Sequence, residues 1–479
     1  MEKNTLPCKR FVKYFITLLY NYHDLLMKRI ILSALFLFTL SAAFPQVGQF
    51  SQFNPYPMDG NGNVAGGLGM SWINGQPFYS IQFRPEVSLG NFGVGLDLQL
   101  DFNSQGKLRT QDFNSVGDYL RIIRYARYGV KNDPLYVKLG ALDYYTLGHG
   151  SIMYLYNNSP SFDARKIGLV FDVDFGTFGL ESIYSTFGEA GIVGLRGHVR
   201  PLKFTSLGVI PIIGNLEVGG TFAGDFNKDA SVIKGSYDAT TNTINKVNSN
   251  GSLQIVGIDL GLPLLSTSMV GVKLYSDFTQ IINFGSGVAT GIIAEFNGLG
   301  LVNASAKLER RFNNARYIPS YFNSFYEIER FQINSSNGTF TSKAAKLDTI
   351  VSDNGYYGEL FIDVMGLFDV TGSYQRLDKD PNSGILHIVA EIAPNTLPFV
   401  ARTGYDKINI QGEKDLFKLD DRSYLYFELG YKPYPYLLVS MIYQWTFAPL
   451  MDANKNIIGY EPQKRIEPRV TFIYPFNTP

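Results

Sequence analysis

Strict alternation of apolar and polar residues runs through GNFGVGLDLQLDFNSQG, residues 90–106. Every second residue from position 92 to position 102 is apolar, and the residues between them are glycines, two aspartates and a glutamine. A period of two predicts a β-strand with one apolar face and one polar face. A sheet that repeats this pattern along its whole length needs an apolar environment on one side and water on the other.

The same alternation recurs to the end of the chain, at residues 135–141, 167–175, 216–222, 270–274, 425–431, 439–447 and 466–476. No segment after residue 45 shows a long helical period, so the predicted class is all-β. Counting forward from a weak first strand at residues 64–73 gives about 20 strands, within a range of 18–22.

Composition favours a membrane environment without membrane helices. Charged residues make up 18% of the chain, below the ~25% usual for soluble domains. Aromatic residues reach 14% and glycines number 48, yet the mean hydropathy is only −0.02. Near-neutral hydropathy with many aromatic residues and glycines fits a transmembrane β-barrel, in which lipid-facing and water-facing residues average out.

The N-terminal region predicts export. Met27, Lys28 and Arg29 precede the apolar run IILSALFLFTLSAAF, which is too short to span a bilayer and ends in small residues. We therefore predict a signal peptide at residues 27–43 and an upstream extension at residues 1–26, with translation starting at Met27. Removing residues 1–43 takes away six basic and two acidic residues and the single cysteine. The remaining chain is slightly acidic, which argues against nucleic-acid binding.

Two kinds of connection alternate between the predicted strands. Short connections follow even-numbered strands, at residues 90–91, 130–134, 176–177, 263–267, 298–299, around Gly366, 394–397 and 432–435, with 203–214 as a longer, apolar exception. All the long polar connections follow odd-numbered strands, at residues 103–117, 146–164, 227–250, 312–355, 411–421 and 448–465. Such asymmetry is typical of outer-membrane barrels with short periplasmic turns and long extracellular loops. The prediction is a single transmembrane antiparallel up-and-down β-barrel at residues 64–476, after a short periplasmic segment at residues 44–63.

With these features and the aromatic-ended last strand RVTFIYPF at residues 469–476, the chain resembles bacterial outer-membrane β-barrel proteins of the porin-like type. The resemblance implies a barrel in the outer membrane of a Gram-negative-type bacterium, surrounded by outer-membrane lipid and inserted by the barrel-assembly machinery. It also implies an aqueous lumen that passes small solutes. The segment before the first strand is too short for a plug domain, which argues against a TonB-dependent transporter.

Charged residues at inward positions are the candidates for solute selectivity. The basic candidates are Arg196, His198 and Arg200, and the acidic candidates are Asp97, Asp101, Asp172 and Asp174. Facing basic and acidic ladders would set a field that orients and selects solutes. The alternative is that these side chains solvate the wall and pair with their neighbours.

A second candidate is LGHG at residues 147–150, where two glycines flank His149 among several tyrosines. The segment could fold inward as a constriction. The alternative is a tight turn at the extracellular rim, with the tyrosines in an aromatic girdle.

The third candidate is the aromatic segment YIPSYFNSFYEIERF, residues 317–331, within the long loop 311–355. Apolar side chains at this density are expected to be buried. We expect a constriction loop whose aromatic residues pack against the wall while its charges face the solute path; its residues are Tyr317, Tyr321, Phe322, Phe325, Tyr326, Glu327, Glu329 and Arg330. A lid, or a site that docks a partner or the outer leaflet, is the alternative.

Other functions have less support in the sequence. After residue 43 the histidines are His149, His198 and His387, and their spacing suggests no Ser/His/Asp set and no metal cluster. We therefore expect no enzyme, no metal and no cofactor. The alternative to a channel is a non-conducting barrel with a structural, adhesion or partner-docking role. An outer-membrane enzyme has less support still.

Overall fold

The computed structural model describes residues 61–477, apart from residues 110–112, 114–118, 120, 162, 188–189, 232, 335–336 and 393–396. The predicted signal peptide and the part of the periplasmic segment before residue 61 lie outside the described residues. Within them, twenty strands form one closed antiparallel barrel. The predicted all-β up-and-down barrel is therefore confirmed.

The first ten strands are β1 Asn61–Ile73, β2 Gln76–Leu89, β3 Phe92–Leu96 continued by Leu98–Phe102, β4 Ile123–Tyr128, β5 Leu135–Gly140, β6 Gly168–Asp174, β7 Phe178–Tyr184, β8 Ile192–Val199, β9 Glu217–Asp225 and β10 Leu253–Ser266. The other ten are β11 Val270–Ile281, β12 Ser286–Asn297, β13 Val302–Asn313, β14 Asp353–Val364, β15 Phe368–Leu377, β16 Gly384–Ile392, β17 Phe399–Ile410, β18 Ser423–Tyr434, β19 Leu437–Met451 and β20 Ile457–Asn477. Consecutive strands pair in order. The barrel closes where β20 pairs with β1, from Asn61 opposite Asn477 to Ile73 opposite Arg465.

The two faces of the wall follow directly from the alternation, and β13 shows this most clearly. Its inward side chains Lys307, Glu309 and Arg311 are at most 3% exposed. Its outward side chains Leu308 and Phe312 are 64% and 48% exposed. Since successive side chains of a strand point to opposite faces, the sequence alone assigns each residue to the lumen or to the outside.

The first stretch of the sequence behaves as predicted. Phe92 and Val94 are exposed on the outside, whereas Gln99 and Asp101 are buried inside. The strand is interrupted at Asp97, next to a register shift between Gly95 and Leu96 in its pairing with β4, and the Asp97 N–H donates to the Ile122 carbonyl. The register with β2 is the same on both sides of the interruption.

The two rims of the barrel differ. At one rim the connections are mostly short, such as residues 90–91 and 435–436, and the longest, residues 200–216, contains three 3₁₀ turns, Pro201–Phe204, Ser206–Val209 and Ile213–Asn215. At the other rim, long connections span residues 103–122, 141–167, 226–252, 314–352 and 411–422.

The predicted long loop at residues 448–465 is wrong, because the connection contains only residues 452–456. The prolines of this region suggested a loop, but Pro449 lies opposite Tyr460 and Pro462 lies opposite Phe447 in regular antiparallel register. Ile458 of the extended hairpin packs with residues from two neighbouring loops, so tertiary contacts stabilise strands that the local sequence does not favour.

The long loops have structure of their own. Loops 226–252 and 314–352 together form a four-stranded sheet, in the order Thr243–Ser249, Ile233–Asp238, Thr339–Ser342 and Phe331–Asn334. Loop 141–167 contains the hairpin Tyr145–Leu147 and Met153–Tyr156. The remaining elements are the helical turn Tyr326–Glu329 and the 3₁₀ turns Lys343–Thr349 and Glu413–Asp415.

None of the helices in the described part of the chain is long and apolar enough to cross a membrane.

Candidate functional site

The outer surface of the barrel is apolar, and its inner surface is charged. At the rim with the short turns, exposed aromatic side chains form a band around the outside: Phe92, Phe175, Phe178, Phe296, Phe399, Tyr431, Tyr434 and Tyr474. An apolar outer belt with an aromatic girdle, around a polar interior, is how a closed sheet spans a bilayer. The protein is a transmembrane β-barrel. Its candidate functional site is therefore the lumen.

One side of the lumen is organised around Arg196 of β8. Its guanidinium donates to Glu181 at 2.7 Å, to Glu217 at 2.8 Å and to Asp259 at 2.6 Å. Arg200 donates to Glu217 at 2.8 Å, so the two arginines share one carboxylate. A buried guanidinium needs such partners because its charge has lost its hydration. Sequence reasoning missed the three acids, although each lies at an inward position of an alternating strand.

The predicted selectivity residues of this side lie next to one another on the same wall. Arg200 donates to Asp174 at 3.0 Å, and His198 Nε2 lies 3.6 Å from the same carboxylate. Asp172 accepts from Lys131 at 2.8 Å and from the Tyr145 hydroxyl at 2.9 Å. These charges are largely neutralised by near neighbours within the wall.

Asp97 and Asp101 of β3 lie in a separate part of the wall. Asp97 accepts from Arg84 at 2.6 Å and from Arg165 of loop 141–167 at 2.7 Å. Asp101 accepts from Arg465 of β20 at 3.1 Å. The structure therefore does not bring these two acids together with the Arg196 cluster.

The LGHG segment lies inside the lumen against the wall. His149 Nδ1 is 2.8 Å from Asp277, which also accepts from Ser151 at 2.5 Å. The His149 ring stacks on Tyr275 with centroids 4.3 Å apart, and the His149 carbonyl accepts from Lys307 Nζ at 2.5 Å. The positive φ of Gly148 and Gly150 permits this tight path, which other residues rarely adopt.

The aromatic segment of loop 314–352 is also folded into the barrel. Tyr317, Tyr321, Phe322, Phe325 and Tyr326 are all at most 5% exposed. Phe322 and Tyr326 join the apolar cluster of loop 141–167, and Phe325 packs edge-on against Phe447 of β19. The burial that we expected of these side chains is thus found inside the lumen.

The charges of the same segment are paired. Glu327 accepts from Lys166 of loop 141–167 at 2.7 Å, and Arg330 donates to Asp225 of β9 at 2.6 Å. Burial alone would raise the pKa of Glu327, but Lys166 and Arg330 lower it below its ordinary value. The ion pair with Lys166 therefore joins the two inward loops while both groups are charged.

Glu329 is held by two lysines of its own loop. It lies 2.9 Å from Lys343 Nζ and 2.8 Å from Lys346 Nζ. Burial would raise the pKa of this carboxyl, but the two ammonium groups lower it to about 2.

A cavity of about 1400 Å³ extends from loop 141–167 to the rim with the short turns. At its inner end it is lined by Ser159 and Arg165 of that loop, and at the rim by Met269, Asn297 and Lys432. Segment 317–331 lies behind loop 141–167, since Tyr154 N donates to the Phe322 carbonyl and Tyr156 donates to Glu327. The two loops together occupy the lumen on the side of the long connections.

His149, Asp259 and Asp277 form the one group in the described residues whose ligand atoms are close enough for a metal ion, all within 4.8 Å of one another. Arg196 already donates to both carboxylate oxygens of Asp259, at 3.0 and 2.6 Å. A guanidinium on one of three ligands favours a hydrogen-bonded cluster over a cation site.

No family model and no curated protein matches this chain. Among solved structures, Acinetobacter baumannii OccAB2 is 10% identical and has a TM-score of 0.30, with 88% of this chain and 99% of that chain covered. Pseudomonas aeruginosa OccK8 (OprE) is 10% identical with a TM-score of 0.31, covering 88% of this chain and 100% of that chain. Pseudomonas aeruginosa OccD3 (OpdP) is 11% identical with a TM-score of 0.28, covering 91% and 96%. At this level the similarity determines neither fold nor function.

Proposed function

We propose that the protein is an outer-membrane channel for small solutes. The observation that carries the proposal is the cavity of about 1400 Å³ inside a twenty-strand barrel whose inner wall is charged. Barrels of eight strands fill their interior with side chains, whereas those of sixteen to eighteen leave an aqueous channel. A lumen of this width accepts hydrated polar solutes, and its charges select among them.

We propose further that loops 141–167 and 314–352 form the constriction. Both lie inside the barrel, pack on each other through Phe322 and Tyr326, and are joined by the Lys166–Glu327 ion pair. The predicted charges Glu327, Glu329 and Arg330 act here by holding the loops in place, because all three are buried and paired.

The proposed location follows from the apolar outer belt and from the difference between the two rims. The predicted signal peptide exports the chain of a Gram-negative-type bacterium, and the barrel-assembly machinery inserts it with the short turns in the periplasm. The long loops then face outward, and outer-membrane lipid surrounds the apolar belt. The proposed role is transport without catalysis.

Liposome swelling tests the proposed function. Vesicles that contain the purified protein should swell in isotonic solutions of small amino acids or pentoses and progressively more slowly with larger sugars. Vesicles that contain heat-denatured protein are the control. The absence of swelling with every solute would instead favour the non-conducting barrel with a structural or docking role.

A further inference from the structure

A row of carboxylates crosses the inner wall near the short-turn rim. Asp363 of β14 lies directly opposite Asp369 of β15, which lies directly opposite Glu391 of β16. Neighbouring strands are about 4.8 Å apart, so the three acids lie side by side at one height of the lumen. Each of them stands near a short turn at an inward position, which is the sequence signal that could have found them.

The row is short of positive charge. Arg402 of β17 donates to Glu391 at 2.7 Å and lies 3.7 Å from Glu428 of β18. Asp369 lies between two acids, and its Oδ1 is buried without a hydrogen-bond partner in the described part of the chain. Like charges directly opposite one another are destabilising, and a buried carboxylate without donors is costly. The row therefore needs a hydrogen-bond donor, for Asp369 above all, that the described part of the wall does not supply.

Three neutral side-chain oxygen atoms near the row also lack a hydrogen-bond partner among the described residues. Ser305 is 6% exposed and its hydroxyl has no hydrogen-bond partner among the described residues. Asn303 Oδ1 and Thr371 Oγ1, in partly buried residues, also have no hydrogen-bond partner there. Asn303 lies opposite Asp363, and all three residues line the large cavity. The Asn303 oxygen can only accept, and the two hydroxyls can accept as well. They are a second observation, independent of the acids, that the wall here lacks a hydrogen-bonding partner.

The opposite wall carries more arginines than acids. In a ring of twenty strands, β4 lies ten strands from β14, and the cavity is lined there by Arg121 and by Arg124, which lies 3.8 Å from Glu86. On strand β2, which is separated from β4 by β3, Arg84 pairs with Asp97, which also binds Arg165. A cation in the cavity is therefore attracted more strongly to the row of acids than to this side.

We propose that the acidic row binds the protonated amino group of a small organic cation and makes the channel selective for amines. An ammonium group has three N–H donors and no acceptor, which matches a row of carboxylates in which one Asp369 oxygen lacks a donor. The three carboxylates are not among the described groups close enough to share one metal ion. The inference rests on the proposed channel function for its physiological meaning, but binding itself does not require conduction.

Titration calorimetry on the detergent-solubilised protein tests the site with putrescine as the probe. Putrescine should bind, and 1,4-butanediol, which has the same length and no charge, should not. D369N should weaken putrescine binding about tenfold, the loss expected for one charge-assisted hydrogen bond. The matched control is D143N, which removes an acid that lines the large cavity with Asp363 and Glu391 but lies beside Lys138, 3.8 Å away. The D143N variant should bind putrescine like the unmodified protein.

Equal weakening by D369N and D143N would overturn the specific site in favour of a general electrostatic effect. If D369N unfolds at a higher temperature but binds putrescine with unchanged affinity, Asp369 has only a structural role and the proposal is overturned. Tight Ca²⁺ binding without putrescine binding would also overturn the proposal.

Reversal potentials in planar bilayers separate this inference from the proposed function. Under a KCl gradient the unmodified channel should prefer cations, and D369N should shift the reversal potential toward zero. If no current is seen but D369N still weakens putrescine binding, the channel proposal fails and the site stands. If current is seen without cation preference and without putrescine binding, the channel stands and the site fails.

Discussion

The ion pair between Glu327 and Lys166 should hold loop 314–352 inside the barrel. The atoms are 2.7 Å apart, and the side chains are 2% and 11% exposed. In the E327Q variant the amide can still accept from Tyr156, but the Lys166 ammonium loses its counter-charge. Breaking a buried ion pair costs about 3–5 kcal/mol, and the partial exposure of Lys166 places the cost near 3 kcal/mol.

Hydrogen–deuterium exchange measures this cost directly. The amides of Tyr326, Glu329 and Lys343 are protected by hydrogen bonds within the loop, to Asn323, Phe325 and Arg330. If they exchange through local opening, a loss of about 3 kcal/mol accelerates exchange about a hundredfold. Peptides from strand β12 should not change.

The matched control is E413Q, which neutralises an exposed glutamate in loop 411–422. It should leave exchange in loop 314–352 unchanged. Unchanged exchange in E327Q would refute the reasoning, because the loop would then be held by its aromatic packing alone.

Three further predictions concern the faces, the orientation and the pH response. Leu308→Arg, on the outer face of β13, should cost about 2–4 kcal/mol in urea unfolding in lipid if it lies near the bilayer midplane, and an unchanged midpoint would contradict the assigned face. An epitope tag inserted in loop 226–252 should be reached by antibody on intact cells and one at residues 176–177 should not, and the reverse result would invert the proposed orientation. The pKa of Glu329 is lowered from 4.5 to about 2, so its ion pairs stabilise the loop above pH 4.5, and this stabilisation is lost as the pH falls through about 2. Proteolytic cleavage of loop 314–352 by pepsin should therefore increase over that range. K343M and K346M together should weaken this dependence, and the part due to Glu327 and Lys166 should remain.

The strands and their faces could be predicted because alternation is a local property of the sequence. Lys307 and Leu308 are neighbours in sequence, and the pleat alone sends them to opposite sides of the wall. The antiparallel pairing of the last strand with the first could be predicted from the even number of strands alone. The prediction of a long loop at residues 448–465 was wrong because the hairpin there depends on non-local contacts. Its Ile458 packs with loops that are distant in sequence.

The partners of the lumen charges could not be predicted in the same way. The alternation correctly predicted that Arg196 points inward. Its acidic partners come from β7, β9 and β10, and no local pattern in the sequence gives the register between these strands. Asp363 and Asp369 are six residues apart in one hairpin, yet only the register shows that they lie directly opposite each other. The long loops have no periodicity, so their position inside the lumen depends on contacts such as Phe325 with Phe447.

Single-channel conductance in a planar lipid bilayer tests the central claim, that this barrel is a solute channel narrowed by its inward loops. The full chain after residue 43 should give discrete openings, and deletion of residues 319–331 should raise their conductance while the protein still shows the heat-modifiable migration of a folded barrel. A folded, membrane-inserted protein that gives no openings with or without residues 319–331 would contradict the account.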